Sequence, residues 1–338
     1  MDQIGLSINT RGETSDEELV SIAQHADKQG YHSFWAAESW GRDAFTVLTM
    51  IACNTQNIRL ATGIVNVFSR TPALIAQTIA SLDILSKGRA ILGLGSSGQV
   101  VIEGWHGVPF DSPLARTREY VEIIRTALSG APVNHQGKFY QMERFRMISP
   151  PVQENLPIYI ASLGPKNLAL TGEVADGWLP VWLNRERISD FKELINAGAT
   201  KSGRSVSDVT VAPYLMCYTS DSPEDLAYGA GLLRSHMAYY IGGMGTFYFE
   251  SFSRAGFATE AQAIREAWNS KNRDQAAAAV SDRMLESVTV LGDAQQCRDQ
   301  MAKFREAGVD MPVATFPHGT DLETIHRTIS ALAPQAGA

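Results

Sequence analysis

Cysteine is scarce: Cys53, Cys217 and Cys297 are the only three in 338 residues. Their odd number and wide spacing leave no disulfide framework and no closely spaced metal motif. The plain reading is three small apolar side chains, mostly buried. Basic tracts are missing too. The formal charge is -7, from 29 Lys and Arg against 36 Asp and Glu, so nucleic acid is excluded as the expected partner. That balance does not exclude a phosphate-bearing ligand, because main-chain amides and helix ends bind anions locally. No apolar run approaches the ~20 residues of a spanning helix, so no membrane association is expected. Met1 to Thr10 lack a basic region followed by a long apolar core, so a soluble cytoplasmic protein is the expectation. No grouping resembles a zinc site or a nucleophilic triad, and no internal repeat or low-complexity linker stands out.

What is present is a rhythm. Ile4, Leu6 and Ile8 form a strand, and the spacing Leu19, Ile22, Ala23, Ala26 predicts a helix that Ser15 and Glu18 open as a capping box. Gly30 stops it. The alternation continues through strands at 32–37, 58–67, 90–94, 156–161, 177–183, 209–218 and 311–316. Helices are expected at 43–54, 71–85, 113–128, 166–174, 187–200, 293–307 and 321–332. Pro72 sits where a helix loses least by a missing N–H. A hairpin-like excursion turning at Gly137 covers 133–148. After strand seven the rhythm breaks into helical material, interrupted by Gly242, Gly243 and Gly245. Eight strand–helix units predict an α/β chain, a single (β/α)8 TIM barrel over residues 1–338, with a helical insertion or lid at approximately 242–283. Fraying is expected from Pro334 onward.

A barrel places its chemistry in the loops after its strands. The first informative loop runs Glu38, Ser39, Trp40, Gly41, Arg42, Asp43. It suits a polar ring system, or equally a surface salt bridge beside a buried Trp. The second, Gly63, Ile64, Val65, Asn66, contains a glycine that permits unusual backbone geometry. The third, Gly93 to Gly98 with Ser96 and Ser97, would let a planar ligand approach main-chain amides, although it misses the dinucleotide fingerprint. The fourth, Ala161, Ser162, Leu163, Gly164, Pro165, Lys166, joins a strand to a helix end able to hold phosphate. His106, beside Trp105, either faces the pocket or packs locally, and Glu103 has the same two readings. His318 is a weaker candidate for the mouth, and His25 and His326 lie in helix patterns. Trp105, Phe110, Tyr140, Tyr239, Tyr240, Phe247 and Tyr248 would give a substrate an aromatic side, or pack the insertion.

Three stretches carry a resemblance: "IRLATGIVNVFSRTPALIAQTIASLDILSKGRAILGLGSSG" (58–98), "VIEGWHGVPFDSPLARTREYVEIIRTAL" (101–128) and "EVADGW" (173–178). The chain resembles the luciferase-like superfamily of barrel oxidoreductases. Within it, the sequence is most similar to the deazaflavin (coenzyme F420)-dependent branch that includes methylenetetrahydromethanopterin reductases. The resemblance implies hydride transfer between the deazaflavin C5 and a small organic substrate, and a homodimer. It also implies a non-proline cis peptide at Gly63–Ile64 against the ring, ring contacts from Glu38 and the Ser96–Ser97 backbone, and Leu163 and Gly164 near the phosphate. Glu38 and His106 are the candidates for proton control. Many deazaflavin-dependent relatives carry Asp-His where this chain has Glu38-Ser39, and the sugar-phosphate branch has a carboxylate where this chain has Gly98. FMN in the same pocket, as a reductase or monooxygenase, is the alternative, and a binding barrel without turnover is a more distant one.

Overall fold

The computed structural model describes residues 2–9 and 14–334; the expected tail beyond 334 lies outside the described residues. The first strands are β1 (Gly5–Ile8), β2 (Ser33–Ala36), β3 (Arg59–Thr62), β4 (Val65–Asn66) and β5 (Ala90–Gly95). The antiparallel hairpin β6 (Val133–Gln136) and β7 (Gln141–Phe145) follows, and then β8 (Ile158–Ala161), β9 (Gly177–Trp178), β10 (Thr210–Val211), β11 (Tyr214–Thr219), β12 (Thr289–Gly292) and β13 (Val313–Thr315). Apart from the hairpin, every pairing is parallel, in the order β10-β9-β8-β5-β3-β2-β1-β13-β11-β12 with β4 beside β5. The architecture is an α/β one: a curled parallel sheet wrapped by helices, with helical insertions.

The wrapping helices are α1 (Asp16–Lys28), α2 (Ala44–Asn54), α3 (Pro72–Ser86), α4 (Gln99–Gly104), α5 (Pro113–Leu128), α6 (Pro165–Val174) and α7 (Ile188–Lys201). Further along come α8 (Pro223–Gly243), α9 (Phe247–Phe252), α10 (Ala258–Asn269), α11 (Arg273–Ala278), α12 (Asp282–Glu286), α13 (Ala294–Glu306) and α14 (Leu322–Ala331). The expected capping box is present, with Ser15 and Glu18 satisfying each other's main-chain N–H at the start of α1. Pro72 occupies the first turn of α3, after the Thr71 cap. Two elements escaped the pattern: α4, too short for helical periodicity, and β12, an added strand that pairs with β11. No helix among the described residues is long and apolar enough to cross a membrane.

Two packing zones matter for the site. Inside the curl, Trp35, Ala61, Ile91, Tyr159, Leu179, Ala212, Tyr214, Met311 and Val313 meet as one buried layer drawn from successive strands. Trp35 fills its centre, 5.3 Å from the Tyr159 ring and 6.4 Å from that of Tyr214. Gly5 leaves it room, since a Cβ there would lie 2.9 Å from the indole nitrogen. The insertion has its own core, in which Leu233, Met237 and Ile241 of α8 meet Phe252, Phe257 and Ile264. Gly245 and Gly256, at φ 84° and 90°, make the turns that fold α9 and α10 back onto α8.

His32, which precedes β2 at the opposite end of the strands from their carboxyl loops, is a pH liability. Burial, with Arg59 nearby, pulls its pKa from the ordinary 6.5 of a histidine to about 4, and its Nδ1 has no hydrogen-bond partner. The folded state therefore resists a proton that the unfolded chain accepts. The stability tied to the neutral ring is complete above about pH 6.5 and is lost as the pH falls toward 4, to a total on the order of 3 kcal/mol. Urea unfolding midpoints of the wild type should drop across that window more steeply than those of His32→Gln. Parallel curves for the two proteins would show that the ring is not the source.

Candidate functional site

The sheet register creates the central feature. Leu60 faces Ala90 and Ala61 faces Ile91, yet Val65 faces Leu94 and Asn66 faces Gly95. The third strand thus carries one residue more than its neighbour between these pairs, which is a bulge. Gly63 and Ile64 lie in it, joined by a cis peptide bond, at the position the resemblance implied. Thr62 locks the bulge to β5: its hydroxyl accepts from Gly93 N and donates to Gly93 O, each at 2.8 Å. Glycine is required opposite, because a Cβ on Gly93 would collide with the Thr62 carbonyl and one on Gly95 would sit 3.0 Å from Ile64 Cδ1. From the far side of the curl the Tyr214 hydroxyl donates to Gly63 O at 3.3 Å. Burial, reinforced by the Tyr240 phenol, pushes the Tyr214 pKa well up, so that hydroxyl stays protonated.

The loop after β2 is fixed by charge. Glu38 takes both Arg70 guanidinium nitrogens, at 2.6 and 2.9 Å, and accepts from Ala44 N at 3.0 Å. Arg70 also contacts Asp43, the cap of α2, and its pKa is raised, first by the Glu38 hydrogen bond. Of the two readings for this loop, the salt bridge is present, and it is largely sheltered, with the Glu38 side chain 9% exposed. The Trp40 ring is 42% exposed rather than buried. Arg70 lies within the quoted family-like stretch, yet nothing in linear spacing announces a pair 32 residues apart.

The third and fourth loops sit beside these. Ser97 adopts φ 58°, and the turn leads into α4 through Gly98. Ser162 is clamped by Trp178, whose indole donates to its carbonyl at 2.7 Å, and by a 2.7 Å contact with the Thr171 hydroxyl. Gly164 then caps α6 without a side chain, leaving the first-turn amides with no side-chain acceptor. Lys166 is exposed. Phe247 of α9 approaches Gly164, bringing the insertion over this loop.

His106 is brought to the bulge by Asn66, with its Nε2 3.3 Å from Asn66 Nδ2. Glu103 takes the local reading: it accepts from Phe110 N and Gln99 Nε2, tying α4 to its own loop. His318 is exposed. Tyr140 bonds to the Tyr120 hydroxyl, Phe110 stacks on Phe68 and Trp105 is 63% exposed. An aromatic wall does form elsewhere: Tyr240 packs against Tyr248 at 4.8 Å, His236 at 5.3 Å and Trp182 at 5.8 Å. Trp182, at φ 56° after β9, buries its indole N–H without a partner. Cys217 and Cys297 are buried and Cys53 is exposed. No cluster of three metal-ligating side chains exists among the described residues.

With this geometry in view, the chain belongs to the luciferase-like monooxygenase family, whose pattern matches residues 4–311. It is 32% identical over 331 residues, 93% of this chain and 94% of the other, to a Mycobacterium tuberculosis protein named as a candidate coenzyme F420-dependent oxidoreductase. It is 32% identical to the 5,10-methylenetetrahydromethanopterin reductase of Methanolobus tindarius, over 90% of this chain and 92% of that one. The solved coenzyme F420-dependent tetrahydromethanopterin reductase of Methanopyrus kandleri superposes with a TM-score of 0.86, at 26% identity over 97% of both chains.

The Arg70–Glu38 pair should behave as a single unit. Arg70→Met strands a sheltered carboxylate and is expected to cost about 2 kcal/mol or more, short of the ~3–5 kcal/mol of a fully buried pair. Adding Glu38→Leu should recover much of that loss. Chemical denaturation of the two single variants and the double variant checks this, and additive losses would show that the pair is not coupled.

Proposed function

We propose that the protein is a coenzyme F420-dependent oxidoreductase, moving a hydride between the deazaflavin C5 and a small organic substrate. The observation that carries the reading is the strand-three bulge with its cis Gly63–Ile64 bond, held between the β5 glycines and Tyr214 at the carboxyl ends of the strands. The F420-linked names of the relatives support it. So do the local chemistries: side-chain-free backbone at Gly63 and Gly164, an α6 first turn with no side-chain cap, and the buried, unpartnered Asn167 Oδ1 beside it. Those groups suit a planar ring that continues into a hydroxylated, phosphate-bearing chain.

In this reading Gly63, Ile64 and the Ser96–Ser97 backbone hold the ring, and Leu163 and Gly164 hold the phosphate. When bound, the deazaflavin supplies the hydride chemistry. The chain's own work is orientation and the exclusion of water. Glu38 has its oxygens committed to Arg70 and Ala44, so it anchors the loop after β2 against the ring instead of carrying protons. His106, held beside the bulge by Asn66, is left as the group that meets the substrate. The wall of Trp182, His236, Tyr240 and Tyr248 receives the substrate, and the free Trp182 indole N–H favours one with a hydrogen-bond acceptor.

The same reading makes the curled sheet a closed (β/α)8 barrel, one domain with 242–283 as its lid. The bond from Tyr214 N to Pro180 O at 2.8 Å supports closure, as do the Val181–Tyr214 bridge and the buried layer around Trp35. Anaerobic titration with oxidised F420 and, separately, FMN tests the cofactor by fluorescence. Saturable micromolar F420 binding and much weaker FMN binding are expected. Gly63→Ala, whose methyl would meet the Tyr214 hydroxyl, should weaken F420 binding at least tenfold while the protein stays folded. A preference for FMN would overturn the assignment in favour of an FMN reductase or monooxygenase.

A homodimer belongs to this proposal. The helices α2 and α3 contain a single charged residue, Asp83, which is buried, while Leu74, Ile84 and Leu85 are 44–48% exposed. Charge depletion on a packed helical surface suits an isologous contact with a second copy. Sedimentation should give a dimer for the wild type and a folded monomer for Leu74→Glu/Leu85→Glu. A wild-type monomer, or a variant that stays dimeric, rules out this face.

A further inference from the structure

Asn66 ends the bulge and is 5% exposed. Its side-chain oxygen accepts from Phe68 N at 3.0 Å and Ser69 N at 2.8 Å. Two main-chain donors on one atom settle which end of the amide is oxygen. The other end is therefore the NH2, and it points at His106 Nε2 from 3.3 Å. A donor facing that nitrogen requires it to be bare, because an N–H there would set hydrogen against hydrogen. A neutral imidazole with a bare Nε2 carries its proton on Nδ1.

We propose that Asn66 is a positioning residue that fixes His106 as the neutral Nδ1–H tautomer, presenting a hydrogen-bond donor to the substrate. The inference rests on the proposed site, in which His106 is held beside the bulge through Asn66. It changes what that histidine does. A bare nitrogen would act as a base and an imidazolium as an acid, whereas an Nδ1–H held neutral polarises a carbonyl or imine without giving up its proton. Charge that gathers on the acceptor atom as hydride arrives is then stabilised by a hydrogen bond, and any proton the product needs is taken up from solvent on its release.

The position of Asn66 explains why the device works. The residue follows the one-residue bulge and pairs with Gly95 through β4, so its backbone is fixed by the same ladder that fixes the ring-facing segment. The two main-chain bonds to its oxygen prevent the amide from flipping to suit whichever tautomer His106 prefers. In a free neutral histidine side chain the Nε2–H form dominates, so the opposite form here requires an external cause, and Asn66 supplies it.

The test reads the tautomer directly, in cofactor-free protein with 15N-labelled histidine rings at about pH 8, where ordinary imidazoles are neutral. Long-range 1H–15N correlation distinguishes a protonated ring nitrogen from a bare one, and His106→Asn assigns the signal. The wild type should show Nδ1 protonated and Nε2 bare. Asn66→Leu should return His106 mainly to the Nε2–H form, and Asn66→Asp, which replaces the donor by an acceptor, should place a proton on Nε2. Thermal melts and the six other histidine signals confirm that each variant is folded. A wild-type His106 carrying its proton on Nε2, or a folded Asn66→Leu variant with an unchanged tautomer, overturns the proposal. Neither result bears on F420 binding, which the fluorescence titration reads separately.

Discussion

The contact between the Thr62 hydroxyl and the Gly93 main chain is the constraint from which the rest of the site follows. The Thr62 hydroxyl satisfies both the N–H and the C=O of Gly93, taking the place of a strand partner where the ladder between β3 and β5 is interrupted. A side chain at Gly93 would occupy the space of the Thr62 carbonyl, so the two strands approach there only because one of them is glycine. That closeness lets the third strand absorb an extra residue without opening a hole in the sheet. Three consequences come from the same offset: Gly63–Ile64 is set at the mouth, Asn66 is turned toward His106, and the chain is directed outward so that Arg70 reaches back across to Glu38.

The order of these effects separates scaffold from chemistry. Arg70, Glu38 and Asp43 form a group of charges that largely compensate one another at the rim, and their work is to hold two loops together. The groups nearer the bulge are hydrogen-bond carriers: the Tyr214 phenol, the Asn66 amide and the His106 imidazole. A sheltered charge left unpaired would be costly, and the loops after β2 and β4 avoid that cost by pairing the carboxylate with an arginine from the same bulged excursion. The departure from the Asp-His pair of many deazaflavin-dependent relatives therefore has a structural counterpart, since the Glu38 position serves as an anchor here.

Much of the fold was legible because its signals are local. The capping box at Ser15, the proline opening α3 and the nearly all-apolar β5 each depend on a few neighbouring residues, and each formed where its pattern lay. The alternation of strands and helices identified the carboxyl-end loops in the same way. Short elements were not legible: α4 spans less than two helical turns and β12 is four residues long, so neither offers enough periods to distinguish it from a loop. The site was legible only in part for a different reason. Gly63, Ser96 and Gly164 stand out through glycine and loop position, whereas Arg70, Tyr214 and Asn66 gain their meaning from contacts 32, 151 and 40 residues away. No spacing rule links such pairs, and only the register of the bulged strand brings them together.

The aromatic wall also bears on the substrates that suit the site. The wall's own polar groups are the Tyr240 and Tyr248 phenols, the His236 imidazole and the Trp182 indole, with the Tyr214 phenol near Tyr240. Burial pushes the Tyr214 and Tyr248 phenols up, so neither offers an anion. A flat, largely apolar molecule with one acceptor atom suits such a surface. It gains contact area on the rings and a donor for that atom, from either the indole or the imidazole. Hydride addition concentrates negative charge on that same atom, so a neutral donor that already binds it strengthens its hold as the charge develops, which is the direction catalysis requires.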